Sequence, residues 1–183
     1  MFALLRRGIF LVALSVAMAV GAAIPERWLA DKAALTPGVT KAEIYHTLPT
    51  RHRPIGELPA TLAPAFKTPP TDLTIFVGEA YFVDHCLNHH PDVPDAVYRR
   101  LDEILATPEE VILDRREGRD AIILSKTIDS RLYLLVIRHY PPQLVYKTLF
   151  PADKARPYPA LPRWKPDPPT KGTPSESLDH ARP

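Results

Sequence analysis

The sequence contains a single cysteine, Cys86, among its 183 residues. One cysteine excludes an intrachain disulfide and a zinc site built from several cysteines. Proline is missing from the middle of the chain, where none falls between Pro108 and Pro141, although the whole chain has 22 prolines and only 7 glycines. This distribution predicts one folded block between proline-rich flanks.

Positive charge is also lacking in that block. Residues 72 to 150 contain nine Lys and Arg against thirteen Asp and Glu, a net charge of −4, whereas the whole chain has a net charge of +2. The surplus of basic residues therefore lies in the flanks. A protein that holds nucleic acid mainly by the bulk charge of its domain is not expected to have this balance.

Residues 1–24 are typical of a signal peptide or a membrane anchor. Arg6 and Arg7 precede an uninterrupted apolar run from Gly8 to Ile24, with small residues near its end. A basic start, a short apolar core and small residues match a secretory signal. The run is also just long enough for a spanning helix. The sequence predicts that the remaining chain is exported, or is anchored in the inner membrane and faces away from the cytoplasm.

The rest of the chain divides at changes in composition. Residues 25–71 are punctuated by proline and predict an extended arm, and residues 157–183 predict a proline-rich tail that is disordered at its end. Between them, residues 72–156 predict a folded domain. The proline-rich arms suit contacts with a protein partner, such as a cognate inhibitor or an envelope protein.

Within the domain the patterns predict helices followed by strands. "LTIFV" predicts a strand, and a helix is expected from about Glu79 to the "HHP" at residues 89–91. "PDVPDAVYRRLDEILATP" predicts an amphipathic helix that begins at Asp92 or at Pro94-Asp95 and stops at Pro108. Strands are predicted at 111–114, 120–126, 131–139 and 144–150, with short joins. The fold class is therefore α+β, with one or two helices packed on an antiparallel meander of about four strands and an N-terminal signal or anchor helix.

"DHCLNHHP", residues 84–91, carries the candidate chemistry. His85 and His89 are four residues apart, so a helix places both rings on one face, as in zinc-binding helices; the glutamate of metalloprotease helices is absent. A second interpretation is proton transfer by one of the histidines near neutral pH. A third is that they only end a helix, and Cys86 is interpreted as a buried thiol.

Cationic and hydroxyl residues on the strands are candidates for binding an anionic substrate. Lys147 and Thr148 lie side by side on the last strand, and three further cations occur on the other strands: Lys126, Arg131 and Arg138. His139 is expected at the surface or in a turn. Arg115, Arg116 and Arg119 are expected in a solvated hairpin turn.

The block from about Leu73 to Arg156 resembles the phage-associated branch of the barnase–EndoU–colicin–RelE-like nucleases. The resemblance lies in the strand "LTIFV", the helix that ends in "HHP", the amphipathic helix and the late strand "LVYKTLFPAD". It implies an RNase, toxin-like in setting, that cleaves RNA by attack of a 2′-hydroxyl without a metal or cofactor. The implied catalytic residues are His89 or His90 with Lys147 and Thr148, and Lys126, Arg131 and Arg138 would bind substrate. The alternative is a non-catalytic envelope module on the same fold.

Overall fold

The computed structural model describes residues 23–35, 38–154 and 160–165. Seven strands form one mixed sheet in the order β1-β2-β6-β5-β4-β3-β7. The strands are β1 (His52–Glu57), β2 (Thr74–Gly78), β3 (Glu110–Asp114), β4 (Ala121–Ile128), β5 (Arg131–Tyr140), β6 (Gln143–Pro151) and β7 (Arg163–Trp164).

The prediction of a four-stranded antiparallel meander is wrong. Strands β3 to β6 do pair antiparallel in succession, close to the predicted positions. However, β2 pairs with β6 in parallel, and β1 and β7 close the two edges of the sheet. Both edge strands come from the proline-rich flanks that composition assigns to irregular structure. Strand β1 includes Pro54, and an edge strand tolerates a proline because one of its sides needs no ladder hydrogen bonds.

The described residues form five α-helices. They are α1 (Glu26–Ala34), α2 (Lys41–Thr47), α3 (Glu79–Asp84), α4 (Asp95–Tyr98) and α5 (Leu101–Ala106). Helix α3 packs on β2 and against α1 and α2, whereas α5 packs on β4. The predicted amphipathic helix is thus two short helices, because the backbone turns at Arg99 and Arg100 before α5 begins. Its apolar residues still point inward, as predicted: Val97, Leu101, Ile104 and Leu105 are buried.

Residues 25–71 do not form the extended arm that was predicted. They contain α1, α2, β1 and a 3-10 helix at Ala60–Ala65. Trp28, Leu29 and Ile44 are almost fully buried in the main hydrophobic cluster with Phe82. The segment therefore completes the core, and two of its prolines lie within packed elements: Pro54 in β1 and Pro64 in the 3-10 helix.

The N-terminal signal or anchor helix of the predicted fold is not among the described helices, and residues 1–22 lie outside the described residues. Across 23–35, 38–154 and 160–165, no helix is both long and apolar enough to cross a membrane. Of the predicted tail at 157–183, the described residues 160–165 contain β7, and its Trp164 packs against the core. The prediction of a disordered end lies outside the described residues.

Candidate functional site

The histidine segment forms one turn of π-helix that continues α3. The π-helix spans His85–His89, and the His90 N–H donates to the His85 carbonyl oxygen at 2.9 Å. The rings of Tyr81 and His85 stack with centroids 4.6 Å apart, and those of His85 and His89 with centroids 4.7 Å apart. Single π-turns within helices are frequent at functional sites. Here the turn aligns one phenol and two imidazoles in a row, which we call the ring stack.

The ring stack lies beside the second half of β6. Strand β2 ends at Gly78, and the chain turns directly into α3, so the edge of β6 loses its parallel neighbour at about Lys147. The Tyr81 hydroxyl donates to the Lys147 carbonyl oxygen at 2.8 Å and satisfies part of that edge. Further along, the His90 ring stacks on Phe150, with centroids 5.2 Å apart. The histidine segment is thereby fixed against the predicted "YKTLF" strand.

A β-bulge determines where the Lys147 side chain goes. Val136 pairs with Thr148 and Ile137 with Tyr146, so Lys147 is the extra residue between them. A bulge re-aims a side chain relative to the regular alternation of a strand. The Lys147 ammonium lies 4.7 Å from the centroid of the Tyr81 ring and 5.9 Å from that of Tyr140.

Arg138 and Lys147 form a pair of cations without a carboxylate partner among the described residues. The Arg138 guanidinium carbon lies 4.4 Å from the centroid of the Tyr140 ring, and the Arg138 Nε is buried without a hydrogen-bond partner in that part of the chain. Burial and the neighbouring Arg138 charge lower the pKa of Lys147. We call Lys147 and Arg138 the cation pair; the Tyr140 ring lies close to both of them.

The Lys147 charge acts on the His85 imidazole. Burial first, then the neighbouring charges of His89, His90 and Lys147, lower its pKa to about 4, although Asp84 opposes that shift. Its Nδ1 is buried and makes no hydrogen bond to the described residues. At neutral pH the ring is therefore uncharged.

The four residues predicted to be catalytic lie on two adjoining segments: His89 and His90 on the histidine segment, and Lys147 and Thr148 on β6. His89 is exposed at the end of the ring stack, and the His85 and His90 ring centroids are 5.9 Å apart. Thr148 lies on β6 two residues before Phe150, and its hydroxyl oxygen is buried without a hydrogen-bond partner in the described chain. Imidazoles thus face a strand that carries an ammonium and, beneath the surface, a buried hydroxyl.

Of the three predicted substrate-binding cations, only Arg138 lies at this surface. Lys126 donates to the carbonyl and hydroxyl oxygens of Thr107, at 2.9 and 3.0 Å. Arg131 forms ion pairs with Asp92 and Asp153, at 3.0 and 3.1 Å. The sequence shows that these residues lie on strands, but it does not show which carboxylates come close to them.

Other residues singled out in the sequence have structural surroundings. Cys86 is 1% exposed, and burial raises the pKa of its thiol to about 12, so the thiol stays protonated. His139 is buried against Phe66, with its Nδ1 3.5 Å from Asp120, instead of lying at the surface as predicted. The hairpin arginines are ion-paired: Arg116 and Arg119 contact Asp114, and Arg115 contacts Asp120.

Sequence reasoning missed the aromatic members of the site. Tyr81, His85 and His89 recur at steps of four residues, a spacing that predicts one helical face, and this signal could have identified Tyr81. No comparable local signal exists for Tyr140 or His52. These two residues line the same cavity of about 310 Å³ as Lys147, because β1 and the β5–β6 hairpin meet there.

Three neighbouring side chains have the donor types and spacing of a metal site. Asp84, His85 and His89 each offer one ligand atom, and these atoms lie within 4.8 Å of one another. Two imidazoles and a carboxylate are a donor set suited to zinc and related divalent ions. Asp84 also accepts a hydrogen bond from Asn88 at 2.9 Å.

Comparison with known proteins identifies no family: no family model, curated protein or solved structure matches the chain.

Proposed function

We propose that this chain is an exported RNase-like domain that cleaves RNA by metal-independent attack of a 2′-hydroxyl. The observation that carries the proposal is the cation pair, which lies beside a cluster of imidazoles and has no carboxylate partner in the described chain. The resemblance to the barnase–EndoU–colicin–RelE-like nucleases supports the same chemistry. The apolar segment from Gly8 to Ile24 supports export.

The cation pair distinguishes this surface from the rest of the molecule. Several other partly buried cations have an acidic neighbour, as in the ion pairs of Lys32 with Asp95 and of Arg115 with Asp120. Lys147 and Arg138 instead repel each other, and Lys147 is partly desolvated. Two like charges held together without a counter-ion are unfavourable, and an anion between them reverses that cost. A phosphodiester is an anion of suitable charge and hydrogen-bonding geometry.

The ring stack supplies the proton transfers. A neutral imidazole takes the proton of the 2′-hydroxyl, the oxygen forms a bond to phosphorus, and the bond to the 5′-oxygen breaks. A second, protonated group delivers a proton to that leaving oxygen. We assign these transfers to the cluster of His85, His89 and His90. Lys147 and Arg138 stabilise the charge on the pentacoordinate phosphorus, and Thr148 donates to a phosphate oxygen.

The test is cleavage of a fluorescent RNA oligonucleotide by the full chain in EDTA, with identification of a 2′,3′-cyclic phosphate product. Lys147→Met should lower kcat/KM by about 10²–10³-fold, because one transition-state cation is lost. The His89→Ala/His90→Ala double variant should lower it by about 10²–10⁴-fold. An oligonucleotide with a single 2′-deoxy sugar should not be cut at that sugar.

Matched controls separate chemistry from folding. His46→Ala removes an exposed imidazole from α2, and Lys41→Met removes an exposed ammonium from the same helix; neither should change the rate. Circular dichroism should show the same melting temperature for all variants. The proposal fails if wild-type protein leaves RNA intact in EDTA across pH 5–9, or if the site and control variants cleave equally fast.

A second candidate function is metal-dependent hydrolysis, which the arrangement of Asp84, His85 and His89 favours. A metal bound there would occupy the imidazoles that the first mechanism needs, so the two functions exclude each other. Activity that disappears in EDTA and returns with stoichiometric zinc would establish this second function and overturn the first. Asp84→Asn should then abolish the metal-dependent rate.

A further inference from the structure

The site lies at one end of a longer cationic groove. His52 of β1 lines the cavity that contains Lys147, and it also lines a second cavity of about 680 Å³. The second cavity is lined by two prolines and four basic residues: Arg27, Arg51, His52 and Arg53. No carboxylate is among the lining residues of either cavity. Cationic character therefore continues from β6 across the edge strand of the sheet.

Two of these cations are available to an external anion. Arg27 forms an ion pair with Glu79 at 3.0 Å, so much of its charge is already neutralised. Arg51 and Arg53 are exposed, and within the described chain neither makes a hydrogen bond or an ion pair, although the Arg53 charge acts on the Glu79 carboxyl. They flank His52, whose backbone pairs with Gly78 at the start of α3. Three basic residues in succession, Arg51 just before β1 and then His52 and Arg53 at its start, thus lie next to the site.

Within the cavity of Lys147 the groove has aromatic walls. Tyr140 is a large aromatic residue that is 41% exposed, and Tyr81 faces it across the Lys147 ammonium. The exposed amide of Gln143 lies in the same cavity and offers both a donor and an acceptor. Aromatic faces beside a cationic track are typical of sites that bind unpaired nucleotides, because bases stack while phosphates meet the cations.

We propose that this groove binds single-stranded RNA over several nucleotides, with one base stacked on Tyr140 and the following phosphates on Arg51 and Arg53. The inference rests on the proposed function and names the substrate class and path of the same site. The groove reconciles RNA binding with a net charge of −4 between residues 72 and 150, because Arg51 and Arg53 come from outside that block.

The test measures binding apart from cleavage. The probes are fluorescein-labelled RNAs with 2′-O-methyl sugars, which lack the nucleophile: a dinucleotide and an octanucleotide. Fluorescence anisotropy of the full chain gives Kd for each over a range of salt concentrations. Arg51→Gln/Arg53→Gln should weaken octanucleotide binding by about tenfold and leave dinucleotide binding unchanged. For the double variant, the slope of log Kd against log salt concentration should fall by about 1.4, the value for two lost phosphate contacts on a single strand.

The matched control is Lys41→Gln/Lys67→Gln, which removes the same net charge from exposed positions outside the groove. It should bind the octanucleotide as wild type does. Tyr140→Leu should weaken binding of both RNAs, because the stacked base is common to them. Equal losses in the two double variants would overturn the inference, since only bulk charge would then matter.

The two proposals fail in different ways. Wild-type binding of the octanucleotide with no cleavage of ordinary RNA leaves the groove in place and removes the catalytic assignment. The Arg51→Gln/Arg53→Gln variant could instead cleave ordinary RNA and bind the octanucleotide as tightly as wild type does. That result would overturn the proposed groove and leave the catalytic assignment in place. Absence of any octanucleotide binding by the wild-type chain also overturns the proposed groove.

Discussion

At the scale of single residues, the charges around a side chain distinguish groups that stabilise the fold from groups that can take part in a reaction. Asp114 is buried and accepts two hydrogen bonds from the Arg116 guanidinium, at 2.9 and 3.0 Å. His85 has no such partner, and its surroundings oppose a positive charge. A fully satisfied buried ion supports the fold, whereas an unsatisfied buried imidazole beside cations is a candidate for chemistry.

Asp114 predicts how stability depends on pH. The hydrogen bonds from Arg116 hold the pKa of its carboxyl below the usual 3.8. A group whose pKa is lower in the folded state stabilises the fold above its unfolded pKa, and this contribution is lost as the pH falls through the folded pKa. Urea unfolding should show that Asp114→Asn costs about 1–2 kcal/mol at pH 7 and much less near pH 2. Glu57→Gln, at an exposed position, should change neither value, and an Asp114→Asn cost that is independent of pH would contradict the prediction.

At the scale of elements, the junction between β2 and α3 brings the site together. Gly78 ends β2, and α3 begins at the next residue, so the ring stack starts where β6 loses its neighbour. The Ala80 N–H donates to the Pro49 carbonyl oxygen at 3.0 Å, which ties the segment before β1 to this turn. The junction fixes His52, Tyr81 and Lys147 relative to one another.

Gly78 is predicted to be intolerant of any side chain, although its backbone has an ordinary conformation. A Cβ there would lie 2.9 Å from the Thr50 carbonyl oxygen and 3.3 Å from the His52 ring. Gly78→Ala should therefore destabilise the protein by about 1–3 kcal/mol, measured by thermal unfolding. Adding His52→Ala removes only the softer clash, so the double variant should stay equally unstable. Full recovery in the double variant would show that the His52 ring, and not the backbone, causes the loss.

At the scale of the whole molecule, the core crosses the domain boundary that composition predicts. Trp28, Leu29, Ile44, Ile55 and Leu58 are buried with the sheet and α3, and all precede residue 72. Burial of one large apolar side chain contributes about 1.5–3 kcal/mol. Five of them contribute about as much as the entire stability of a typical domain, which is roughly 5–15 kcal/mol. The predicted block 72–156 therefore lacks an essential part of its own core.

Fragments of the chain test this conclusion. Residues 72–156 alone should give a poorly dispersed amide NMR spectrum and no cooperative thermal transition. Residues 23–165, which retain the first helices and β7, should give a dispersed spectrum and a cooperative transition. A folded, cooperatively melting 72–156 fragment would show that the flanking segments decorate the sheet without completing its core.

Local patterns in the sequence predict much of the middle of the chain. Alternation and β-branched residues identify β2 to β6, and helical spacing identifies the buried positions of α4 and α5. These features are readable because they depend on neighbours within a few residues. The break between α4 and α5 at Arg99 and the π-turn at His85–His89 cannot be predicted from the apolar pattern. A shift of one residue in helical hydrogen bonding leaves that pattern almost unchanged.

The sequence by itself determined the strands of the sheet's centre, the helix that carries the histidines, and the candidate residues His89, His90, Lys147 and Thr148. Only the tertiary structure decided which residues meet. It added Tyr81, Tyr140 and His52 to the cavity of Lys147. It also placed Arg131, predicted to bind substrate, in ion pairs with Asp92 and Asp153. The physical reason is that strand order, bulges and edge pairing are set by contacts between residues distant in sequence, and no local pattern records those contacts.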